Sequence, residues 1–210
     1  MSEKTWARWL LPFLIVSGSG VLVWSAVAPK DYFTWALEVA PAVAGFLLLV
    51  WLYPRFRFTP LVYVLVWAHA IVLMVGGHYT YAEVPLFDWL RDTFHLARNH
   101  YDRLGHFMQG FVPALLAREV LLRKTPLRRG RWLTFLVLCV CMAISAVYEI
   151  AEWAVAVLTG SAADAFLGGQ GDVWDTQTDM VFCFIGAVAA LILLSRVHDR
   201  QLKHFKGAWK

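Results

Sequence analysis

Six apolar stretches leave this chain few ways to fold. They run at about 8–28, 33–53, 59–77, 103–122, 131–158 and 175–196, each near the ~20 residues that a helix needs to cross a ~30 Å hydrocarbon core. A backbone in lipid must satisfy its own hydrogen bonds, so such segments cross as helices. Composition agrees, with 60% hydrophobic residues, 11 Trp and a mean hydropathy of +0.57. Only 16% of residues are charged, against about 25% in an average soluble domain. The expected fold is an all-α polytopic membrane helix bundle of about six transmembrane helices. It forms one integral membrane domain over residues 1–210, with short loops and no soluble domain.

The first stretch has features of a secretory signal, with Lys4 and Arg8 ahead of it and Ser25-Ala26-Val27-Ala28 behind. The run from Trp9 to Ala28 is long and rich in Trp and Leu, so a retained helix is expected. Cys139, Cys141 and Cys183 fall within the stretches and read as small packing residues, because the CxC lies on a helix without a nearby histidine.

Orientation follows from Lys and Arg, which mark cytoplasmic loops. With the amino terminus inside, fifteen of the nineteen basic residues fall inside, six of them between Arg118 and Arg131. Lys30, Arg91, Arg98 and Arg103 fall outside. Both termini are thus expected in the cytoplasm, and the net charge of +4 anchors the chain to anionic headgroups rather than to nucleic acid. Twelve of the fifteen acids take the opposite side, all but Glu3, Glu119 and Asp199.

Those acids have a pattern. Asp102 and His106 are four apart in HYDRLGHFMQG with Gln109 three further on, which puts all three on one helical face. In the fifth stretch Glu149 and Glu152 are three apart, with Ser145 one turn before Glu149. In GQGDVWDTQTDM, Asp172, Asp175 and Asp179 open the sixth stretch. Glu149 lies about nine residues from the end of its span, roughly 13 Å inward, where a lipid-facing carboxylate would cost ~2.5–3.5 kcal/mol. It must face the bundle, a wet cleft or a cation. No span is expected to bring an acid to the inner half.

Singly, each residue has a structural account. Asp172 or Asp175 can cap a helix, and Asp102 can fix an imidazole. His69 reads as a satisfied core histidine, His95 as a solvated loop residue, His198 and His204 as part of the basic tail, and Glu38 as either a cap or a cluster member. Together, acids from three helices at one depth repel one another at low dielectric. Either several are protonated, or Arg98 and Arg103 neutralise them, or a metal does. Carboxylates with imidazole suit Mg²⁺, Mn²⁺, Zn²⁺ or Fe, and the expected ligands are Asp102, His106, Glu149, Asp175 and Asp179.

The longest outer loop, Gly76 to Arg103, contains WLRDTFHLA, which has the pattern of a short interfacial helix within residues 78–100. The preceding GGHYTYAEVPL is irregular and is expected either to fold back over the bundle mouth or to serve as an aromatic belt.

The motifs GGHYTYAEVPL, ARNHYDRLGHFMQGFVPALLARE, ISAVYEIAEW and GDVWDTQTDM, in this order, resemble the YjdF-type bacterial inner-membrane family over nearly the whole chain. The resemblance implies a multi-pass protein of the bacterial inner (plasma) membrane and no particular reaction. DRLGHF, EIAEW and DVWDTQTDMVFCFIG are similar, more weakly, to VanZ-like membrane proteins over the last half. There Arg103 replaces the usual Lys, Glu152 stands near an expected Gln, and Asp179 takes an Asn position.

The residues support three functional classes. The first is a metal-dependent hydrolase or transferase acting on a lipid or lipid-linked headgroup at the outer leaflet, with Glu152 or His100 as general base and Arg98, Arg103 and Tyr81 binding substrate. The second is an ion- or proton-coupled transport protein, which should leave polar groups on both sides of the midplane. The third is a non-catalytic membrane partner subunit that docks through the basic loop Arg118 to Arg131.

Overall fold

The computed structural model describes residues 3–160 and 164–203, and among them every regular element is helical. The elements are α1 (Glu3–Ala26), α2 (Tyr32–Leu52), α3 (Pro60–Tyr79), a 3-10 turn (Tyr81–Glu83), α4 (Pro85–Phe94), α5 (Tyr101–Lys124), α6 (Arg131–Thr159), α7 (Asp164–Leu167) and α8 (Asp175–Leu202). His204 lies outside the described residues, as do Lys206 and Lys210.

Five helices, α1, α2, α3, α6 and α8, are long and apolar enough to cross a membrane. The expected fourth span is α5, which falls short on composition because it opens with Asp102 and Arg103 and closes with Arg118, Glu119, Arg123 and Lys124. Its 24 residues are still about 36 Å long. It packs against α3, α6 and α8, so its polar side chains meet protein rather than lipid.

Small residues make that burial feasible. Helices in membranes approach closely where glycine removes the side chain, and α5 and α8 use the device twice. Gly110 of α5 lies on the Cys183 carbonyl and Gly186 of α8 on the Phe107 carbonyl; a Cβ on either glycine would overlap that backbone. The two helices run parallel, with Arg103 beside Asp179 near one end and Arg118 beside His198 near the other.

The α6 face toward the bundle reads Leu133, Val137, Cys141, Ser145, Glu149, Glu152. One stripe at i, i+4 spacing therefore passes from apolar to polar along the helix. Between its polar end and the far end of the bundle lies an apolar layer containing Ala114, Leu115, Val137, Cys141, Cys183 and Ala187. Cys141 and Cys183 are packing residues as expected, whereas Cys139 is exposed.

Beyond that layer the structure corrects two expectations. His198 is not part of a solvated tail, and an acid does reach this half of the bundle. Helix α8 continues to Leu202 rather than ending near 196, which carries His198 along the stripe facing α5; His198 and Glu119 are both 0% exposed. Arg118 Nη1 lies 3.0 Å from His198 Nδ1. A guanidinium can only donate, so Nδ1 accepts and the imidazole proton sits on Nε2, which donates to Glu119 at 2.9 Å. Glu119 also accepts from the Thr59 amide and hydroxyl and from Arg123. Arg118 and Arg129 share Asp199 at 2.7 and 3.1 Å.

Helix α4 is amphipathic as expected, with Leu86, Trp89 and Phe94 exposed on one side and Arg91 bonded to Asp88 and Asp92 on the other. His95 ends it in the left-handed conformation (φ 53°). At the start of α2, Asp31 accepts the Thr34 amide at 2.6 Å. That bond to the backbone holds the carboxyl below its usual 3.8.

Three outcomes follow from these contacts. Gly110→Leu should force α5 from α8 and remove monodisperse protein on size-exclusion chromatography. His198→Ala removes the hydrogen bonds of a neutral imidazole to Glu119 and Arg118, and thermal unfolding in detergent should show a loss of about 1.5–3 kcal/mol, the range for hydrogen bonds to charged groups. Asp31→Ala should cost about 1 kcal/mol through loss of the cap. A depressed carboxylate stabilises the fold above its unfolded pKa, so the contribution is present above pH ~4 and lost as pH falls through the lower folded value.

Candidate metal centre

The polar ends of α5, α6 and α8 meet α2 and two loops in one buried cluster. Asp102 and His106 project from α5 one turn apart, and the imidazole Nε2 lies 3.4 Å from Asp102 Oδ1 and 3.6 Å from Asp179 Oδ1. Donor atoms of Asp102, His106 and Asp179 all lie within 4.8 Å of one another. Gln109 Oε1 is 3.3 Å from His106 Nδ1. A carbonyl oxygen accepts, so Nδ1 carries a proton, and Nε2 faces the two carboxylates. A metal-binding imidazole is oriented in this manner.

Two buried oxygens in the cluster have no hydrogen-bond partner, Asp102 Oδ2 and Glu149 Oε1. Asp102 is 6% exposed and Glu149 8%. Glu149 Oε1 points toward His106, 3.8 Å from Nδ1, while Thr176 hydrogen-bonds the same carboxyl group. Glu152 is buried one turn along, near Glu149, His106 and Asp102. Ser145, buried on the same stripe, faces Cys183 rather than the carboxyl groups. A buried polar atom without a hydrogen bond costs about 1–3 kcal/mol, and two of them face one cluster.

The arginines explain why Asp175 differs from Asp179. Arg98 Nη1 lies 2.7 Å and Arg103 Nη2 2.8 Å from Asp175 Oδ1. Arg103 also bonds Asp179 and reaches Asp172 at 3.1 Å. Asp175 thus lies among guanidinium groups beside the donor group rather than within it. Asp172 Oδ1 accepts the Trp174 amide at 2.9 Å, so it is both a turn residue and a rim partner of Arg103.

Arg98 has a second task. It donates to the Gly168 and Gly169 carbonyls, while the Asn99 amide donates to Gln170 Oε1 and Gln170 Nε2 donates back to the Asn99 carbonyl, at 3.0 and 2.9 Å. The loops that lead into α5 and α8 are thereby clipped together over the cluster. Arg98 Nε is buried without a partner.

Two further residues belong to the site. Glu38, left open between cap and cluster, is 3% exposed on α2; it accepts hydrogen bonds from Tyr81 and Tyr148 and lies close enough to Asp102 and His106 to interact with their charges. No spacing rule joins residue 38 to residue 102, so only tertiary packing could show this. Tyr81 folds back into the bundle, which settles the GGHYTYAEVPL loop as a cover rather than a belt. Its ring fills the space beside Gly76 and Gly105 and meets Tyr101 edge-on at 5.5 Å. His69 on α3 lies near His106.

The buried cluster therefore contains five carboxyl groups, Glu38, Asp102, Glu149, Glu152 and Asp179, against two guanidinium groups and one imidazole. Asp172 and Asp175 draw on the same two arginines. His100 stands at the mouth, at the start of α5. Burial, then the positive charges of Arg98 and Arg103, hold its pKa below the usual 6.5, so the ring is neutral at pH 7.

A lowered histidine pKa means that the unfolded state takes up the proton first, so His100 lowers stability as pH falls through about 6.5. Arg98→Gln should raise the His100 titration midpoint toward 6.5, read from the imidazole Cε1–H shift by NMR, and reduce that acid-side loss. An unchanged midpoint would mean that burial alone sets it.

Residues 10–200 match the family described as "Predicted membrane protein (DUF2238)". The chain is 48% identical over 185 residues to the inner membrane protein YjdF of Escherichia coli (strain K12), a match covering 88% of each chain. No solved structure matches, and the VanZ-like resemblance is not among these findings. With a family match across nearly its whole length and this relative, the chain belongs to the DUF2238 family of inner membrane proteins.

Proposed function

We propose that this protein is a metal-dependent hydrolase or transferase acting on a lipid or lipid-linked headgroup at the outer leaflet. The observation that carries the reading is the Asp102–His106–Asp179 donor group, bordered by two buried carboxylate oxygens with no hydrogen-bond partner. An acidic surplus at low dielectric needs a cation or protons, and an oxygen-rich set with one imidazole fits Mg²⁺, Mn²⁺, Zn²⁺ or Fe. Asp102, His106 and Asp179 would hold the ion, and Glu149, which stands outside that donor group on the Nδ1 side of His106, would join it from α6 by a change of side-chain rotamer. Such an ion supplies charge stabilisation to a phosphoryl or carbonyl oxygen.

The remaining roles fall to this chain's own groups. Gln109 fixes the imidazole. Glu152, behind Glu149, accepts a proton, and neutral His100 can do the same at the mouth. Arg98 Nε, a buried donor without a partner, suits an anionic headgroup, with Arg103 beside it. Tyr81 acts through Glu38. Asp175 acts by holding the arginines, a role outside the metal set. The excess of Lys and Arg at the other end of the bundle supports an orientation with both termini in the cytoplasm and the site at the outer leaflet.

Elemental analysis of the purified protein tests the metal. About one divalent ion per chain is expected in the wild type and in Asp172→Asn, with loss in Asp179→Asn and Glu149→Gln. Gln109→Ala should weaken binding about 10–100-fold, the usual effect of removing such a partner. A metal-free wild type would discard the metal reading and leave a His106 imidazolium between Asp102 and Asp179.

Transport is the second reading, favoured by one observation: buried Glu119 and His198 bring ionisable groups to the other half of the bundle. They lie about 25 Å along α5 from Asp102. Glu119 is fully bonded, however, and the intervening Ala114, Leu115, Cys141, Cys183 and Ala187 form a dry layer. Metal- or pH-dependent flux in liposomes would reverse the ranking. The partner-subunit reading loses docking surface, because Arg118, Arg123 and Arg129 form internal ion pairs.

A further inference from the structure

We propose that the gap between α1, α2 and α3 holds one hydrocarbon chain of a bilayer phospholipid, and that this slot feeds the site above it; the second part rests on the reading of the site as one that acts on lipid. Helices α1 and α2 both pack on α3. Between them runs a cavity of about 510 Å³, within the 300–1,000 Å³ range of sites that enclose small ligands.

The slot runs from Leu11, Tyr53 and Tyr63 at one end to Leu22, Ala42 and Met74 at the other. Eleven residues of helix separate these ends on each wall, or about 16 Å, close to half of a ~30 Å hydrocarbon core. Its lining is apolar apart from Ser19 and the Tyr and Trp ring atoms, and the one Trp there is occupied, since Trp67 Nε1 donates to Ser17 at 3.1 Å. Water has little to bond in such a space, whereas a methylene chain matches it.

The occupant follows from where the slot lies and where it leads. Its walls are faces of three helices long and apolar enough to span the bilayer, so hydrocarbon is the surrounding solvent. On α2 its stripe is Tyr53, Leu49, Phe46 and Ala42, and the next position on that stripe is Glu38, one turn on and already in the acidic cluster. On α3 the stripe through Ala70 and Met74 continues to Gly77, which packs on Glu38 and Val39. An apolar trough that stops one helical turn short of a polar cluster has the polarity of a lipid, with a chain below and a headgroup above. A helix of a second copy would match the trough but not the acidic end.

Two measurements test this. The protein is reconstituted in phosphatidylethanolamine–phosphatidylglycerol nanodiscs and transferred to mild detergent, and the phospholipid retained per chain is counted by native mass spectrometry. Roughly one is expected in the wild type and in Leu48→Trp, on the other face of α2. Ala42→Trp and Ala70→Phe, which fill the slot, should retain about tenfold less, a change of ~1.4 kcal/mol. In wild-type protein, phosphatidylglycerol with a diazirine at mid-chain should label Phe46 and Trp67, midway along the slot, well above Leu47. Equal retention in the filled variants, labelling no higher in the slot than on Leu47, or a lipid-free dimer would overturn the proposal. Metal content of the same samples keeps the two readings apart: bound lipid without metal removes the metal-dependent reaction alone, and bound metal without lipid removes the slot alone.

Discussion

The close contact of α5 with α8 is the constraint on which the rest depends. A 24-residue helix with ionisable groups at both ends cannot face hydrocarbon, and it is tolerated because α8 lies against its backbone. Two glycines, one on each helix and each under the other's carbonyl, set that distance. Were the helices a methyl group farther apart, Arg103 would sit away from Asp179, and Arg118 from His198. The glycine contact and the charge pairs are therefore mutually dependent: small residues permit the approach, and the approach satisfies the charges.

Electrostatics divides the molecule into two unlike polar regions. At the far end of the bundle every buried charge has a partner: Glu119 accepts from Thr59, Arg123 and His198, and Asp199 holds two arginines. The result is a closed network, whose role is to join the start of α3, the end of α5 and the end of α8. At the site end the network is open. Buried carboxyl groups outnumber arginines, and Asp102 Oδ2 and Glu149 Oε1 accept no hydrogen bond, although Arg98 and Arg103 lie 3.6 and 3.8 Å from the former. Buried polar groups are nearly always satisfied in native proteins, so an open network is where a ligand, an ion or a proton is expected.

Much of this was legible in the sequence because helical spacing is local. Asp102, His106 and Gln109, or Ser145, Glu149 and Glu152, fall on one face whatever surrounds them, and apolar length alone marked the spans. What escaped depended on which faces meet. His198 reads as a tail residue when a span is ended by hydropathy, since Arg196 and Arg200 flank it; only the continued α8 stripe carries it inward. Glu119 lies within the expected fourth span, but only the packing of α3 and α8 on its face shows that it is buried and bonded. The arginines posed a different difficulty, because spacing cannot tell whether Arg98 and Arg103 bind a substrate or an aspartate. Here their contacts with Asp175 pull that residue out of a series in which it otherwise looks equivalent to Asp179.

The reciprocal Asn99–Gln170 clip acquires meaning from the parallel course of the two helices it precedes. Helix α8 is held to α5 at three levels, by the clip and arginines at one end, by glycine against carbonyl in the middle, and by Arg118 with His198 at the other end. Such a rod cannot slide by a helical turn at one level alone. Any motion that opens the cluster by moving α8 along α5 must also break the buried imidazole bonds at the opposite end. Access to the site is then easiest through its loops or from the side, while the α5–α8 pair acts as a rigid spine.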